Sequence, residues 1–441
     1  MSKKDNSASI SAKSFISALI VIAILMVLCY VLTLCLPGCH IPFWKWILSP
    51  ALVLGAEGSG TIIAVIIFLL VIGGIFNVLE QCGMMKYMLD KIASRYGKSK
   101  YRLMAIVMFF FMSMGALIGS FEEVVPLVPI VVGLAIKLGW DSLTGLAMSM
   151  LTVGCGFASG VFNPFTVGVA QQLAGLPMFS GAWLRIVSFA VIYCLLLLFV
   201  TTYAKKIDKG FNAEQFTESF ENNKKFDLGI KLFASIMGLG IAIVLCSGFI
   251  TALQDYTMII VAVMFLIAGL VSAKACGVTG KQLGKDMLVG VFEMLPAVLM
   301  ILMASSIKYT LETAGALNVI LKGAIALAQT LPKWAVILFI YLIVLIMNFF
   351  VASGSAKAFM LIPLIVPLAN VFGISSQLCI VAFAFGDGFS NVFYPTNPAL
   401  LISLGLANIS YKDWFKYSWK FQLTNLFVTS AILLLGLAAG Y

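Results

Sequence analysis

Four charged residues lie in otherwise apolar stretches of the sequence, each beside residues that disturb helices. Glu122 and Glu123 belong to "IGSFEEVVPLVPIV", Lys357 to "SGSAKA" and Asp387 to "FGDGFSN". A charge near the centre of a bilayer costs at least about 2.5–3.5 kcal/mol, so charges retained there indicate contact with a substrate, an ion or a proton. The alternative role is structural, because an ion pair between Lys357 and Asp387 would also hold two segments together.

Two breaks in apolar runs contain asparagine, threonine and proline, "SGVFNPFT" and "YPTNPAL". Irregular backbone at membrane depth is tolerated only where protein or a water-filled cavity satisfies its polar groups. Half-helix N-termini at such breaks favour anions, whereas free carbonyls and Asn or Thr side chains suit small cations such as sodium. The residues concerned are Ser159, Asn163, Pro164 and Thr166 in the first break and Thr396 and Asn397 in the second.

Paired prolines precede both breaks, Pro126 with Pro129 and Pro363 with Pro367. Because proline cannot donate the helical hydrogen bond of its own position, each pair predicts a broken helix beside a cavity. A tip of small residues comes before the second pair and is a further candidate for substrate contact. It consists of Ser353, Gly354 and Ser355.

The whole chain has the composition of a polytopic membrane protein. Of its 441 residues, 62% are hydrophobic and 10% are charged, against about a quarter charged in soluble domains. Runs such as residues 14–36 and 60–79 reach the roughly 20 apolar residues that cross a bilayer. We interpret the first run as a retained helix, because it is long for a signal-peptide core and lacks a clear cleavage site.

The formal net charge of +10 arises mainly in basic loops near residues 86–102 and 205–231. Basic loops face the cytoplasm by the positive-inside rule, so this charge indicates a lipid bilayer as partner and no nucleic acid. We therefore expect a multi-pass protein of the bacterial inner membrane with a cytoplasmic N-terminus.

Enzymatic chemistry has little support in the sequence. It has no HExxH, GxSxG or phosphate-loop motif, and its single histidine is His40. We expect no enzyme, no resident cofactor and no metal, apart from a coupling proton or a coupling sodium at the Asn163 and Asn397 breaks. Cys35 and Cys39 could pair on an oxidising side, but unpaired thiols are our interpretation for the scattered cysteines.

Two motifs recur at one offset, which predicts an internal repeat. "LEQCGMM" at residue 79 returns as "LETAGAL" at residue 311, and "GFASGVFNPF" at residue 156 returns as "GFSNVFYPTNP" at residue 388; 311 − 79 and 388 − 156 both equal 232. Only the first LExxG copy leads into a strongly basic loop. The two copies are therefore expected to have opposite orientations, with one extra helix between them.

The predicted fold class is an all-α polytopic membrane protein of two inverted repeats, each with a re-entrant hairpin and a broken helix. An amphipathic element is expected near residues 84–92, and Glu80 and Glu312 occupy equivalent positions that favour capping or pairing. The predicted boundaries are a first repeat over 1–204 (hairpin near 120–139, broken helix near 156–172), a cytoplasmic linker over 205–227, a connecting helix over 228–252, and a second repeat over 253–441 (hairpin near 353–373, broken helix near 386–406).

The long stretches around these motifs resemble the YfcC-type basic amino acid antiporters, relatives of the C4-dicarboxylate anaerobic carriers within the ion transporter superfamily. The resemblance covers nearly the whole chain and is carried by the EE-x-x-P, NPFT-x-G-x-A and FGDGFSN elements. One departure is the second break, "PTNPAL", where the family pattern often has PTSG.

This resemblance implies a scaffold domain, a transport domain with two hairpins, an elevator-type mechanism and a homodimer. It also implies that substrate and ions are bound at the hairpin tips and the broken helices. The corresponding residues of this chain are Glu122, Glu123, Ser159, Asn163, Pro164, Thr166, Ser353, Gly354, Ser355, Asp387, Asn391, Thr396 and Asn397.

The leading hypothesis is a secondary active transporter or exchanger of small amino acids, cationic ones such as arginine or ornithine. Three acids at the expected cavity outnumber its one lysine, Lys357, so an ammonium or guanidinium group matches it better than a second carboxylate. The alternative is an ion-coupled carrier of C4-dicarboxylates or short-chain carboxylates, in which Lys357 and half-helix N-termini bind the substrate. A channel or a structural subunit is a third class, which the matched breaks disfavour.

Overall fold

The structure is a computed structural model that describes residues 12–56, 59–119, 121–177, 179–210, 223–247 and 257–441. The side chains of Glu122, Glu123 and Pro164 lie outside the described part. The described residues form helices and turns, with no strand among them. Eight stretches of this part are long and apolar enough to cross a membrane: Ile62–Gln81, Met84–Leu117, Ser142–Ser159, Ala182–Ile207, Gly280–Thr313, Lys333–Phe350, Gly354–Val371 and Tyr411–Ala438.

The first half of the chain contains eleven α-helices in its described residues. They are α1 (Ala12–Cys35), α2 (Phe43–Ile47), α3 (Ser49–Leu52), α4 (Ser59–Gln81), α5 (Met84–Tyr96), α6 (Lys100–Ile118), α7 (Val128–Lys137), α8 (Ser142–Leu146), α9 (Thr152–Ser159), α10 (Val169–Leu173) and α11 (Ala182–Ile207). Short 3-10 turns cover Val53–Gly55, Gly97–Ser99 and Glu122–Leu127, and π-type turns cover Ala147–Leu151 and Pro164–Gly168.

The second half continues with ten helices in the described residues. They are α12 (Lys224–Ser247), α13 (Thr257–Ala275), α14 (Gly280–Glu293), α15 (Leu295–Thr313), α16 (Ala316–Ala328), α17 (Lys333–Phe350), α18 (Gly354–Val371), α19 (Ser376–Asn391), α20 (Pro398–Leu406) and α21 (Tyr411–Ala438). Several of these helices begin at a side chain that caps the free backbone N–H groups, such as Thr279 before α14 and Ser410 before α21.

The order of elements in the first half returns in the second. In both, a long helix leads into a short one, α4 into α5 and α15 into α16, and α5 and α16 begin at Met84 and Ala316, which 316 − 84 places 232 residues apart. A long helix, a turn and a second helix follow, as α6 with α7 and α17 with α18. A helix that ends at a break comes next, α9 or α19, followed by a short helix and a long one. The spacing of the motifs therefore corresponds to repeated elements.

The helices pack in two groups. Helix α4 packs against α13, α14 and α15, while α1 packs on α15 and α12 on α13. In the other group α6 packs on α9, α17 on α19, and α9 and α19 on each other, with α11 beside α21. Helix α20, which follows the second break, contacts α15, and the 3-10 turn Glu122–Leu127 contacts α4 and α13, so these two segments lie where the groups meet.

Several sequence predictions need correction at this level. Pro363 and Pro367 lie inside α18, which is continuous over Gly354–Val371, so this pair does not break a helix. Neighbouring helices and local adjustment can satisfy the carbonyls that a proline leaves free in a buried helix. The ranges given for the hairpins, 120–139 and 353–373, each cover only the arm after a tip; the preceding arms are α6 and α17.

The segment between the halves also differs from its predicted bounds. Helix α11 extends to Ile207 and α12 begins at Lys224, so both ends of the predicted linker 205–227 are helical, while residues 211–222 lie outside the described part. Glu312 pairs with Lys308 one turn earlier in α15, with 3.4 Å between Oε1 and Nζ. Cys35 and Cys39 are free thiols.

Helices α4 and α14 cross at a pair of glycines. A Cβ atom at Gly290 would overlap the carbonyl oxygen of Gly73 and would lie 2.8 Å from Cβ of Asn77. Asn77 Nδ2 donates to the carbonyl of Asp286 at 2.6 Å, one turn before the crossing. Small residues at such a position allow two membrane helices to approach closely enough for their backbones to touch.

We predict that Gly290→Ala lowers the stability of the purified protein, because the added methyl group must push two backbones apart. The loss should be about 1–3 kcal/mol, as for other overpacked sites. Gly284→Ala is the matched control on the same helix, where nothing lies within 4 Å of the added atom, and it should be neutral or slightly stabilising. Thermal unfolding in detergent measures both; equal midpoints for the two variants would contradict the close crossing.

Asp208 joins the end of α11 to the start of α6. Its carboxylate is 2.5 Å from Lys100 Nζ and accepts hydrogen bonds from the Tyr101 hydroxyl at 2.6 Å and the Gly210 N–H at 2.8 Å. Burial disfavours the charged carboxylate, but the hydrogen bonds from Lys100 and Tyr101 outweigh burial and lower the pKa of Asp208. The ionised form therefore holds α11 and α6 together.

We predict that Asp208→Asn destabilises the protein at neutral pH and not in acid. A carboxyl whose pKa is lowered by folding contributes stability above its unfolded pKa of about 3.9, and loses it as the pH falls through the lower folded value. The difference in unfolding midpoint between wild type and variant should thus be constant at pH 5–7 and shrink below about pH 4. A difference that persists undiminished at the lowest pH would show that the charge contributes nothing.

Candidate functional site

The tip between α17 and α18 places small polar residues at a helix N-terminus. Ser353 caps α18, since its Oγ accepts a hydrogen bond from the Ala356 N–H at 3.4 Å. The hydroxyls of Ser353 and Ser355 are 3.5 Å apart, and Ser353 is exposed. From this tip the first turn of α18 carries Lys357 into the interior.

Lys357 and Asp387 form a fully buried ion pair. Lysine Nζ is 2.6 Å from aspartate Oδ1, and both side chains are 0% exposed. Helices α18 and α19 pack against each other and bring the two residues together. The second carboxylate oxygen of Asp387 has no hydrogen-bond partner among the described residues. The structure thus contains the ion pair that the sequence offered as the structural alternative.

Asn348 organises this pair, and sequence reasoning missed it. Its Oδ1 accepts a hydrogen bond from Lys357 Nζ. Its Nδ2 lies 3.0 Å from the Asp387 carbonyl oxygen, 2.6 Å from Ser390 Oγ and 3.0 Å from Asn391 Oδ1. One carboxamide therefore joins α17 to both α18 and α19. The available signal was a lone amide in the apolar run "YLIVLIMNFF".

The first break lies between α9 and α10 and is lined by buried polar groups. Ser159 ends α9 and donates its hydroxyl to the Cys155 carbonyl at 2.8 Å. Asn163 Oδ1 accepts from the Thr166 N–H at 3.2 Å, and so caps the turn that begins at Pro164. Ser159, Asn163 and Thr166 are all 0% exposed, and the Thr166 hydroxyl has no partner in the described part.

The second break, between α19 and α20, repeats this arrangement with different residues. Asn397 caps α20 by accepting from the Leu400 N–H at 3.2 Å, and it donates to Asn391 Oδ1 at 3.1 Å. Asn391 ends α19 and thereby links the break to Asn348. Thr396 is buried, and its hydroxyl lacks a partner among the residues described.

The two halves of the chain meet at Gly354. A Cβ atom there would lie 2.5 Å from Thr166 Cγ2 and 2.6 Å from Asp387 Oδ2, so only glycine leaves room for both neighbours. A Cβ at Gly388 would likewise overlap the backbone of Ala158, where α9 and α19 cross. The start of α18, the carboxylate of α19 and the first break are therefore in contact.

The first tip is described only by its backbone at the two glutamates. Gly119 adopts φ +72°, and a Cβ atom there would overlap the side chain of Asn163. Glu122 and Glu123 begin the 3-10 turn Glu122–Leu127 after this tip, and their side chains lie outside the described residues. Their role as substrate contacts stays a prediction.

The sequence reasoning also missed Arg185, which is another buried charge. It is 0% exposed on α11, and its guanidinium donates to the carbonyls of Val161 at 3.4 Å, Phe179 at 3.2 Å and Ser180 at 3.1 Å. Val161 lies in the first break, so this arginine supports its backbone. The available signal was a single arginine in the apolar run "AWLRIVSF".

These contacts divide the candidate residues into members of a buried network, residues at its accessible edge and residues that cap turns. Lys357, Asp387, Asn391 and Asn397 belong to one network through Asn348, and the Asp387 carboxylate and Thr166 both adjoin Gly354. Ser353 and Ser355 lie at its accessible edge, while Ser159 bonds within its own helix. The Asn163 and Asn397 amide oxygens already cap turns, and among the described residues no three His, Cys, Asp or Glu side chains group as a metal site. Sodium at these asparagines stays a prediction.

The chain is similar over most of its length to one protein family and to two bacterial proteins. Residues 50–438 match DcuC, described as C4-dicarboxylate anaerobic carrier. The chain is 30% identical over 401 residues to the "Putative basic amino acid antiporter YfcC" of Escherichia coli (strain K12), with 86% of this chain and 78% of that protein covered. It is 22% identical over 374 residues to an uncharacterized protein of Haemophilus influenzae, with 82% and 73% covered.

Two transporters of known structure align with most of this chain. The Alcanivorax borkumensis YdaH transporter is 18% identical, with a TM-score of 0.48 over 97% of this chain and 98% of that one. Neisseria gonorrhoeae MtrF, from a class of antimetabolite efflux pumps, is 15% identical, with a TM-score of 0.45 over 95% of each chain.

The family model matches residues 50–438, and the chain is 30% identical to YfcC. The chain is therefore a member of the C4-dicarboxylate anaerobic carrier family of membrane transporters.

Proposed function

We propose that this membrane transporter is a secondary active transporter or exchanger of small amino acids, cationic ones such as arginine or ornithine. The observation that carries the proposal is the contact at Gly354 between the start of α18, Asp387 and Thr166. It joins elements of both halves of the chain around buried polar groups, and a substrate bound there would be held within the group of helices that is proposed to move.

We place the substrate's carboxylate at the breaks. The N-termini of α18 and α20 carry partial positive charge, and the hydroxyls of Thr166 and Thr396 are buried without partners among the described residues. A carboxylate that reached these groups would receive charge-assisted hydrogen bonds from them. Amino acids and dicarboxylates both carry such a group, so this subsite serves either substrate class.

The selectivity for a cationic side chain depends on the glutamates of the first tip. Asp387 is neutralised by Lys357, so the excess of acids expected at the cavity is reduced to Glu122 and Glu123. The relative that is 30% identical is named a putative basic amino acid antiporter, and this name favours a cationic substrate. The name of the family favours the alternative, an ion-coupled carrier of C4-dicarboxylates or short-chain carboxylates.

The transport cycle completes the proposal. The packing of helices in two groups, with α20 and the 3-10 turn Glu122–Leu127 at their boundary, supports an elevator-type movement of α6–α11 and α17–α21 against α4 and α12–α15. We also propose inverted repeats, a homodimer in the bacterial inner membrane with the N-terminus in the cytoplasm, and coupling to a counter-substrate, a proton or sodium.

We predict that proteoliposomes loaded with arginine accumulate labelled arginine from outside by counterflow. Ornithine and lysine should compete, because they present the same carboxylate and a cationic side chain, whereas succinate and acetate should not. Liposomes without protein are the control. Inhibition by succinate, or no arginine uptake by folded protein, would move the assignment to carboxylates.

We predict that Thr166→Val and Thr396→Val each weaken substrate binding about tenfold or more, since each removes a hydroxyl that would contact a charged carboxylate. The half-saturation concentration in counterflow measures this effect. Thr310→Val is the matched control, because Thr310 is equally buried but its hydroxyl already donates to the Ser306 carbonyl in α15. Equal effects of all three changes would argue against a carboxylate subsite at the breaks.

A further inference from the structure

The ammonium of Lys357 occupies a position that resembles the binding site of a free cation. Its Nζ contacts one carboxylate oxygen, Asp387 Oδ1, and one amide oxygen, Asn348 Oδ1. Small hard cations take oxygen ligands in proteins, carboxylate and amide oxygens among them, and transporters hold sodium with backbone carbonyls where helices unwind. Both residues of the pair are 0% exposed, and the oxygens come from α17 and α19 while the ammonium comes from α18.

We propose that Lys357 is a tethered cation, whose ammonium fills a site between Asp387 and Asn348 that would otherwise take a free monovalent cation. The role of this tethered ammonium in the transport cycle rests on the proposed function. In that cycle α18 closes against α19 with a cation that never leaves the protein, so the site between Asp387 and Asn348 needs no sodium from solution.

The other half of the chain lacks this arrangement at the equivalent position. The repeat offset of 232 places Cys155 of α9 where α19 has Asp387, since 387 − 232 is 155, and Cys155 is a fully buried thiol. At this position the second half therefore carries an acid where the first half carries a thiol. A carboxylate buried here without a cation would be strongly unfavourable, so Asp387 needs either a neighbouring cation or a proton.

The site also contains a carboxylate oxygen that has no hydrogen-bond partner among the described residues. This oxygen, Asp387 Oδ2, faces Gly354 and Thr166. A free cation that replaced the ammonium would keep Asp387 Oδ1 and Asn348 Oδ1 as ligands and could add this oxygen. Removing the ammonium while preserving the apolar stem of the side chain should therefore create a cation site.

The test is cation binding by Lys357→Met in the purified full-length chain in detergent. Methionine preserves most of the volume of the lysine stem and removes its charge. The unfolding midpoint is followed as sodium chloride or methylammonium chloride replaces choline chloride at constant ionic strength. We expect a saturable rise of about 2 °C or more for the variant and none for the wild type, because the ligand would bind the folded state alone.

Three controls make the result specific. Lys357→Met with Asp387→Asn should lose the cation response, because the site then has no charge to balance. Lys137→Met removes a partly exposed lysine from its ion pair with Asp90, and it should show no saturable response. Lys357→Gln, which can still donate toward Asp387, is the second variant if the methionine variant does not fold.

Equal responses of wild type and Lys357→Met, or no response of either folded Lys357 variant, would overturn the tethered-cation proposal. These outcomes are independent of transport, because the measurement is equilibrium binding. Failure of arginine counterflow would instead contradict the proposed function and leave the cation site intact.

Discussion

The arrangement of the candidate site depends on one ion pair that is buried in an apolar interior. Lys357 and Asp387 are both excluded from solvent, and neither would be tolerated alone at this depth. The surrounding polar groups satisfy the pair: Asn348 accepts from the lysine and holds the backbone of α19. The glycine at position 354 allows α18 to start directly against the carboxylate. Helix packing, tip and break are thus tied to one electrostatic requirement.

A second requirement, the close approach of helices, explains why small residues recur where helices cross. Gly388 lets α19 touch the backbone of α9 at Ala158, and Gly290 lets α14 touch α4. Without a hydrophobic driving force between helices in lipid, close packing and interhelical hydrogen bonds supply much of the association. The first kind of crossing positions the site, and the second builds the group of helices against which it would move.

Much of the architecture was predictable from the sequence, since apolar runs and repeated motifs report on long helices directly. The positions of α5, of the two breaks and of the extra helix α12 follow from periodicity, proline and composition. The prolines of α18 misled the prediction because Pro363 and Pro367 are accommodated inside a continuous helix. Local rules for proline describe an isolated helix, whereas in this chain neighbouring helices decide the outcome.

The sequence singled out candidate residues by their types but did not predict which of them pair. Glycine, asparagine and threonine at the breaks were recognisable, yet the sequence did not decide between Lys357 as a substrate ligand and Lys357 as the partner of Asp387. That choice depends on how α18 packs on α19, which is a long-range contact. Asn348 was missed because a single amide in an apolar run has no local signature, and its importance arises only from three helices that meet around it.

The most direct measurement of the central claim, that a cationic amino acid binds where α18 meets the first break, uses the exposed tip residue Ser353. In Ser353→Cys, the rate of maleimide modification at residue 353 would be compared with and without substrate, with Thr330→Cys at another exposed turn as the reference. We predict that arginine slows modification at residue 353 several-fold, that succinate does not, and that residue 330 is unaffected by either. A modification rate at residue 353 that arginine leaves unchanged at saturating concentration, or that only succinate lowers, would contradict the account.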